Sequence, residues 1–346
     1  MSSIRVGVFG DRVNGEWCSP SFQLRLLTAW LGVPWMKIKI IECTSDLEDI
    51  DVVVFQRLSM LGGLGEEIFL ETIGRKIPRV LDVDDDFHGV SNSDSHEQKD
   101  SAMLNLAKYE DFLAKFSQIW VSTENLGSII SSRSGMAVRL RPTVPPGFIE
   151  RQIVQRTPRQ RTRSLLYFGT STHANDFETV RLVLERESKR ESILSTVVGV
   201  GARVAIDPAI QVVGVPRKIA TRYSSFMDFL QRLGPFDIGI SPIATSDVNR
   251  SKSGLKVMEY AALGILPVAS NSEAYSWLSQ LGLGSLLVDH GIDNWDDKIT
   301  YLSELNFIDF EELRYSAVSR INLYAEKLRV HNLSEDSNSL TNLIVK

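Results

Sequence analysis

The sequence contains few of the features that mark several common classes of protein. Its 346 residues include two cysteines, Cys18 and Cys43, so we expect a reducing compartment and no disulfide framework. The net charge of -5 argues against a nucleic-acid partner, because neutralising phosphates requires a basic surface. No apolar run approaches ~18 residues, and the N-terminal segment lacks the regions of a signal peptide. These absences together predict a cytoplasmic protein without a membrane-spanning segment.

Apolar runs and helical patterns alternate along both halves of the chain. In the first half the predicted strands are Ile4–Phe9, Lys37–Ile41, Val52–Phe55, Arg79–Val83 and Ile119–Ser122. The predicted helices between them are Phe22–Leu31, Gly65–Ile73, Gln98–Phe116 and Glu124–Ser132. Further strands are predicted at Leu165–Phe168, Ser195–Val200, Gln211–Val215, Phe236–Ser241, Ile265–Ala269 and Ser285–Val288. This alternation predicts an α/β protein with two Rossmann-like, doubly wound domains.

A proline-containing, basic stretch separates the two halves. It predicts a linker at residues 151–163, with an N-terminal domain at 1–150 and a C-terminal domain at 164–321. Ligands of such sheets bind where the carboxyl ends of the strands converge.

Residues 249–270 are the most informative segment. A polar loop with Asn249, Lys252 and Ser253 is predicted to lead through Gly254 and Leu255 into a short helix that carries Lys256 and Glu259. A helix N-terminus offers free N–H groups to a phosphate, and helical spacing places Lys252, Lys256 and Glu259 on one face. An ordinary Lys–Glu ion pair on a βα unit is an equally good interpretation. The helix is predicted to end at Gly264.

This segment resembles the donor-binding segment of nucleotide-sugar glycosyltransferases of the GT-B fold, in particular the retaining group called family 4. Glu259 and the run Gly264–Val268 match that group, whereas Ser251 stands where the group carries its first glutamate. Asn249, Lys252, Ser253, Lys256, Glu259 and Tyr260 match a bacterial polysaccharide subset. The resemblance implies two domains that face a cleft, and a C-terminal helix at about 322–346 that packs back on the first domain.

A second segment, Tyr167–Phe177, resembles the glycine-rich turn beside the donor diphosphate in the same subset. The implied phosphate contacts are Gly169, Ser171 and Thr172, with His173 neutralising charge or orienting the sugar. The alternative is that Ser171, Thr172 and Asn175 only satisfy a helix N-terminus. Arg217 follows a predicted strand at the position of the base-binding loop, although a solvated loop charge is the favoured interpretation.

Three consecutive aspartates, Asp84 to Asp86, follow a predicted strand of the first half and precede His88. Crowded like charges raise pKa values and cluster at functional sites. Three interpretations stay open: an acceptor-binding or catalytic group, a divalent-metal site, and a cap on a loop. Acceptor binding ranks first, with Asp84 and His88 on the acceptor side, because the GT-B enzymes that the sequence resembles generally need no bound metal. Arg57 is expected either to contact an anionic acceptor or to pair with these aspartates.

The first predicted strand ends in a turn that starts at Gly10 and Asp11, and the resemblance places this turn on the acceptor side. The turn lacks a Gly-x-Gly-x-x-Gly fingerprint, which argues against a dehydrogenase. Trp17, Trp30 and Trp35 form either a lipid-facing patch, which would allow peripheral association with the inner face of the membrane, or a core face, the commoner case.

The sequence is thus interpreted as a glycosyltransferase that moves a sugar from a nucleotide diphosphate donor to a glycan or lipid-linked acceptor, with no metal or other cofactor. Lys252, Lys256, Asp85 and Asp86 are the predicted catalytic residues. The alternatives are a nucleotide-sugar epimerase of the same fold and a catalytically inactive subunit, for which Ser251 is the main argument.

Overall fold

The computed structural model describes residues 3–13, 16–17, 19–91, 106–147, 162–170, 173–190, 193–199 and 206–345. The chain forms two compact units. The first contains the described residues of Met1–Val144, Ser251–Ser253 and Lys327–Lys346, and the second those of Pro145–Arg250 and Gly254–Glu326.

The first unit is built on a parallel sheet of six strands. Its strands and a short antiparallel pair, β2 with β3, are β1 Ile4–Phe9, β2 Arg12–Val13, β3 Glu16–Trp17, β4 Met36–Ile40, β5 Val52–Gln56, β6 Arg79–Val83, β7 Gln118–Val121 and β8 Val138–Leu140. The order across the sheet is β4-β1-β5-β6-β7-β8. β5 is buried along its whole length, as expected of a strand in a parallel sheet that is covered on both faces.

Helices connect these strands. They are α1 Pro20–Phe22, which continues as a π-helix at Gln23–Leu27, a 3-10 helix at Thr44–Leu47, α2 Gly63–Gly74, α3 Phe87–Ser91, α4 at 106–113 and α5 Glu124–Ser134. The N-cap side chain of Ser19 accepts from the backbone N–H of Phe22, and Thr123 caps α5 in the same way through Leu126.

The second unit repeats the plan. Its strands are β9 Arg163–Phe168, β10 Ile193–Val198, β11 Gln211–Val213, β12 Ile238–Ser241, β13 Leu266–Ser270 and β14 Leu287–Val288. They are parallel, in the order β11-β10-β9-β12-β13-β14. The helices are α6 Ala174–Lys189, α7 Arg217–Ala220, α8 Tyr223–Leu233, α9 Asp247–Arg250, α10 Leu255–Ala262, α11 Trp277–Gln280, α12 Ile292–Glu304 and α13 Phe307–Ile344, with 3-10 turns at Glu273–Tyr275 and Gly284–Leu286. From Lys327 onward α13 belongs to the first unit.

The predicted doubly wound α/β class is confirmed by these two sheets. Most predicted strands are present within about two residues of their predicted ends. The helix predicted at Phe22–Leu31 was wrong in detail, because α1 gives way to a π-helix that ends at Leu27. Residues 98–105 of another predicted helix, and most of the predicted linker at 151–163, lie outside the described residues.

Arg163 corrects the predicted end of the linker. It is the first residue of β9, and its side chain is largely buried. The guanidinium lies 4.0 Å from the ring centroid of Phe310 and donates to the carbonyl of Leu305 at 2.8 Å. A basic residue thus belongs to the core of the second unit because a ring and a carbonyl receive its charge.

The tryptophans resolve one of the open interpretations. Trp30 is buried in a core cluster with Leu26, Trp120 and Leu340, and Trp35 packs against the same cluster. The core interpretation is confirmed for Trp30, and Trp35 is partly buried against the same core. The side chain of Trp17 lies outside the described residues.

A buried ionic network ties the end of α13 into the first unit. Asp336 accepts from Trp30 Nε1 at 2.7 Å, from Arg139 at 2.6 Å and from Arg141 at 3.1 Å. Burial, the largest single effect, would raise the pKa of Asp336. The charges of Arg141 and Arg139 and the hydrogen bonds from Arg141 and Trp30 together outweigh it, so the pKa falls below its usual value. The carboxylate therefore stays charged inside the core.

No helix in the described part of the chain is long and apolar enough to cross a membrane.

Candidate functional site

The turn after β9 brings the backbone of two glycines close together. Gly169 donates to the carbonyl of Val198 at 3.0 Å. A Cβ on Gly199, whose φ is +83°, would lie 2.6 Å from the carbonyl oxygen of Gly169. The turn therefore requires glycine at 199, both for space and for backbone conformation. Ser171 and Thr172, the predicted phosphate donors of this turn, lie outside the described residues.

Asp176 organises the polar groups next to this turn. Its Oδ2 is 2.9 Å from His173 Nδ1, and its Oδ1 accepts from Asn249 Nδ2 at 3.0 Å and from the backbone N–H of Ala244 at 2.9 Å. The predicted residues His173 and Asn249 are thus brought together by a residue that was not predicted. The predicted capping role of Asn175 was wrong, because α6 begins at Ala174 with His173 at the N-cap.

The loop before α10 differs from its prediction. α10 begins at Leu255, so Lys252 is not on the helix and does not share a face with Lys256 and Glu259. Residues 251–253 belong to the first unit. There burial and the charge of Asp84 raise the pKa of Asp85, and the charge of Lys252 is one of those that oppose this rise. Ser253 precedes the N-cap, which is Gly254.

Gly254 has no room for a side chain. A Cβ there would lie 2.4 Å from Nε1 of Trp277 and 2.8 Å from the carbonyl oxygen of Ala274. The first backbone N–H groups of a helix have no partner within the helix, and the helix dipole makes this end positive. The N-terminus of α10, at Leu255, is therefore chemically suited to an anion.

Lys256 lies over aromatic rings in the first turn of α10. Its Nζ is 5.0 Å from the centroid of Tyr167 and 5.5 Å from that of Phe168, the residues that end β9 just before Gly169. Cation–π contacts of this kind hold an ammonium group in place without neutralising it. A positive charge, a helix N-terminus and the turn at Gly169 are therefore neighbours on the second unit.

Glu259 is buried one turn further along α10, with 6% of its surface exposed. Its Oε1 accepts from the hydroxyl of Tyr223 at 2.9 Å. Burial raises the pKa of Glu259 to about 7, although the hydrogen bond from Tyr223 and the charge of Lys256 lower it. Lys256 thus acts on Glu259 electrostatically, and Tyr223 is the hydrogen-bond partner that the sequence did not indicate.

Tyr260, which carried part of the resemblance, has a structural role. Its hydroxyl donates toward the carbonyls of Ile240 at 2.9 Å and Leu166 at 3.1 Å, so it joins β12 to β9. A Cβ on Gly239 would lie 2.2 Å from the ring of Tyr260.

α10 ends as predicted. Gly264 has a φ of +74° and its N–H donates to the carbonyl of Ala261, while the N–H of Ile265 donates to the carbonyl of Tyr260; together these bonds form a Schellman motif.

Arg217 is exposed in the first turn of α7. Its solvated position agrees with the favoured interpretation of this residue.

In the first unit, Arg57 pairs with two of the three aspartates. Its Nε is 2.5 Å from Asp84 Oδ1, and its Nη2 is 2.7 Å from Asp85 Oδ2. Arg57 follows β5 with a φ of +53°, an unfavourable backbone conformation for a residue with a side chain. Such conformations persist at sites where the surrounding structure holds them. The predicted pairing of Arg57 with the aspartates is confirmed.

Asp86 and His88 belong to the start of α3. Asp86 Oδ1 accepts from the backbone N–H groups of His88 at 3.1 Å and Gly89 at 3.0 Å, so the capping interpretation describes this aspartate. The His88 ring is buried beside Tyr109, and burial lowers its pKa. Asp86 therefore differs from Asp84 and Asp85, which face Arg57.

Gly10 and Asp11 follow β1. A Cβ on Gly10 would lie 2.0 Å from the ring of Phe22, so the ring takes the place of a side chain. The pKa of Asp11 is raised to about 6, and burial is the largest cause. The charge of Arg57 lowers this pKa, and those of Asp84 and Asp85 raise it. Asp11 therefore belongs to the same charged cluster as Arg57.

Among the described residues, no group of three or more His, Cys, Asp or Glu side chains is arranged to hold a metal ion.

Comparisons with known proteins bear on the fold. No protein-family model matches the sequence, and a search of curated proteins finds no match. Among solved structures, a glycosyltransferase from Rickettsia africae ESF-5 is similar with a TM-score of 0.62 and 13% identity, over 98% of this chain and 99% of that one. An α-glucosyltransferase in complex with UDP and a DNA 13-mer containing an HMU base has a TM-score of 0.61 and 11% identity, over 100% of both chains.

A third similar structure is a mutant O-GlcNAc transferase of Thermobaculum terrenum, with a TM-score of 0.54 and 11% identity, over 99% of this chain and 68% of that one. The chain has the GT-B fold. At these identities the similarity establishes the fold, and the chemistry has to be argued from the side chains.

Proposed function

We propose that the protein is a glycosyltransferase that takes a sugar from a nucleotide diphosphate donor bound to its second unit. The observation that carries the proposal is the position of Lys256. Three features lie together here: the N-terminus of α10, the ammonium of Lys256 over the rings of Tyr167 and Phe168, and the glycine turn at 169. A diphosphate is the ligand that uses all three, because it carries concentrated negative charge and several acceptor oxygens.

The chemistry of such a site is electrostatic. When the bond between the sugar and the diphosphate breaks, negative charge builds on the leaving phosphate oxygen. The backbone N–H of Leu255 and the ammonium of Lys256 would stabilise that charge in the transition state, which is usually the largest contribution to catalysis. Asp176 would hold His173 and Asn249 in place beside the sugar.

Glu259 is proposed to accept from a ribose hydroxyl of the donor. Tyr223 orients the carboxylate through its hydrogen bond to Oε1, which supports this role by holding the group still. The finer features remain part of the proposal: the similarity to family 4, retention of the anomeric configuration, and a glycan or lipid-linked acceptor without a metal ion. The acceptor is assigned to the first unit, near Asp84 and Asp85.

Calorimetric titration with nucleoside diphosphates, followed by a donor screen for acceptor-dependent release of nucleotide, tests the proposal. We expect one nucleoside diphosphate to bind to the wild-type chain and to bind more weakly to Lys256→Ala. Release of nucleotide only in the presence of acceptor would separate a transferase from an epimerase. If no nucleoside diphosphate binds, the proposed donor site is wrong.

A further inference from the structure

An aromatic pair supports the residue that precedes α10. The indole of Trp277, at the start of α11, is stacked on the ring of Tyr324 from α13, with 4.8 Å between the ring centroids and 16° between the planes. Its Nε1 donates to the carbonyl of Ala274 at 3.0 Å. The stack fixes one face of the indole and the hydrogen bond fixes its edge, so Trp277 is held in one orientation.

Gly254, the N-cap of α10, lies directly against this indole. A Cβ at this position would be 2.4 Å from Trp277 Nε1 and 3.1 Å from Cε2 of the same ring. Only a residue without a side chain fits here, and its backbone packs on the ring. Because the N–H of Leu255 is the next donor along the chain, the position of the indole sets the position of that N–H.

α13 also contacts the other end of α10. Arg314 Nη1 donates to the carbonyl of Gly264 at 2.8 Å, and Asn322 Nδ2 donates to the carbonyl of Ala261 at 3.3 Å. The last carbonyls of a helix need such donors from outside the helix. These contacts hold α10 at its C-terminal end, whereas Tyr324 acts through Trp277 at the N-terminal end, where the diphosphate is proposed to bind.

We propose that Tyr324 and Trp277 are positioning residues for the diphosphate of the donor. They hold Gly254, and through it the N-terminus of α10 and Lys256, in the geometry that the phosphate oxygens need. A fixed set of donors favours a bound anion, because binding then does not have to order the loop. The inference rests on the proposed function for the identity of the site, and it adds that an aromatic pair beside the site sets its affinity for phosphate.

Calorimetric titration of the full chain with inorganic pyrophosphate tests the inference. Both rings are only partly buried, so Tyr324→Leu removes the stack without opening a large cavity in the core. This variant should bind pyrophosphate about tenfold more weakly than wild type, the upper end of what an aromatic pair contributes. Tyr324→Phe keeps the ring and should bind pyrophosphate as wild type does.

Asn322→Ala is the matched control, because it removes a contact that the same helix makes with the other end of α10. It should lower the melting temperature and leave the affinity for pyrophosphate unchanged. Trp277→Phe keeps an aromatic ring beside Tyr324 and removes the hydrogen bond to Ala274. It should also weaken pyrophosphate, and it decides the matter where Tyr324→Leu does not fold.

Wild-type affinity in the folded test variant would overturn the inference, and so would an equal loss in Tyr324→Phe or in Asn322→Ala. Titration with UDP, GDP, ADP, CDP and dTDP keeps the two proposals apart. If wild type binds pyrophosphate but none of these nucleotides more tightly, only the proposed function is refuted. If a nucleotide binds wild type and Tyr324→Leu equally well, only this inference is refuted. If wild type binds neither pyrophosphate nor a nucleotide, both are refuted.

Discussion

Tyr223 donates its hydroxyl hydrogen bond to Glu259 across 2.9 Å, and both side chains are buried. The pair joins α8 to α10 and keeps a carboxyl group inside the second unit. Since burial raises the pKa of Glu259 from 4.5 to about 7, this group changes its charge close to neutral pH. Two consequences can be measured, one for stability and one for ligand binding.

The first prediction concerns stability against pH. The folded state holds the proton of Glu259 up to about pH 7, whereas the unfolded state releases it near 4.5. The unfolded state therefore binds fewer protons in this window, and stability falls as the pH rises through it. Glu259→Gln should remove this contribution, which is at most about 3 kcal/mol.

Urea unfolding of both proteins across this window is the measurement. The free energy of unfolding of the glutamine variant, relative to wild type, should grow from acid to neutral pH and then level off. Tyr223→Phe should extend the fall in stability to higher pH, because it removes the hydrogen bond that lowers the pKa of Glu259. An identical pH dependence in all three proteins would contradict the prediction.

The second prediction concerns Lys256. Lys256→Ala should slow turnover by about 2–4 kcal/mol in activation free energy, the range found for groups that stabilise charge in a transition state. Its melting temperature should change little. Lys298→Ala is the matched control, because Lys298 also lies over a ring, that of Tyr301 at 5.7 Å, on α12. Equal turnover in the two variants would remove Lys256 from the site.

The third prediction concerns Asp176. Asp176→Asn should both destabilise the second unit and weaken the nucleotide donor, because the amide keeps one oxygen for Ala244 and Asn249 but replaces the oxygen that faces His173 with an NH2 group and removes the negative charge. Hydrogen bonds to charged groups are worth about 1.5–3 kcal/mol each, so we expect a loss of that order in the free energy of unfolding. Asp207→Asn, which breaks the pair that Asp207 forms with the exposed Lys189, should be nearly neutral in both measurements.

The fourth prediction concerns Asp336. Asp336→Ala leaves Arg141 buried without its partner and should cost about 3–5 kcal/mol of stability. Glu71→Ala removes an exposed partner of Arg75 and should cost about 1 kcal/mol or less. Denaturant unfolding compares the two. If their losses are equal, the buried network does not hold α13 in the first unit.

The fifth prediction separates two neighbouring aspartates. Asp86→Asn should keep both stability and transfer, since an amide oxygen still caps α3, whereas Asp85→Asn should abolish transfer. Asp86→Ala should cost about 1 kcal/mol through the lost cap. Activity should also persist in EDTA. Loss of transfer in Asp86→Asn would return Asp86 to the catalytic residues.

The sequence predicted the sheets well because their central strands are buried on both faces and are almost entirely apolar. β8 was missed because its three residues are only partly buried and show no clear pattern. Local chemistry was also predictable, such as the glycine that ends α10.

The partners of the site residues were not predictable. Asp176 meets Asn249, which is 73 positions away, and Arg25 meets Asp82, which is 57 positions away. The order of strands in the sheet creates those contacts. The spacing of the residues along the chain does not predict them.

The contact between Gly239 and the ring of Tyr260 has an evolutionary consequence. The ring fills the volume that any side chain at 239 would need, and its hydroxyl, which has one proton to donate, lies within hydrogen-bond distance of two strand carbonyls. Neither position can change alone without a clash or the loss of that hydrogen bond. Among homologous sequences, the glycine in the strand and the tyrosine in the helix should therefore be inherited as a pair, and be replaced only together.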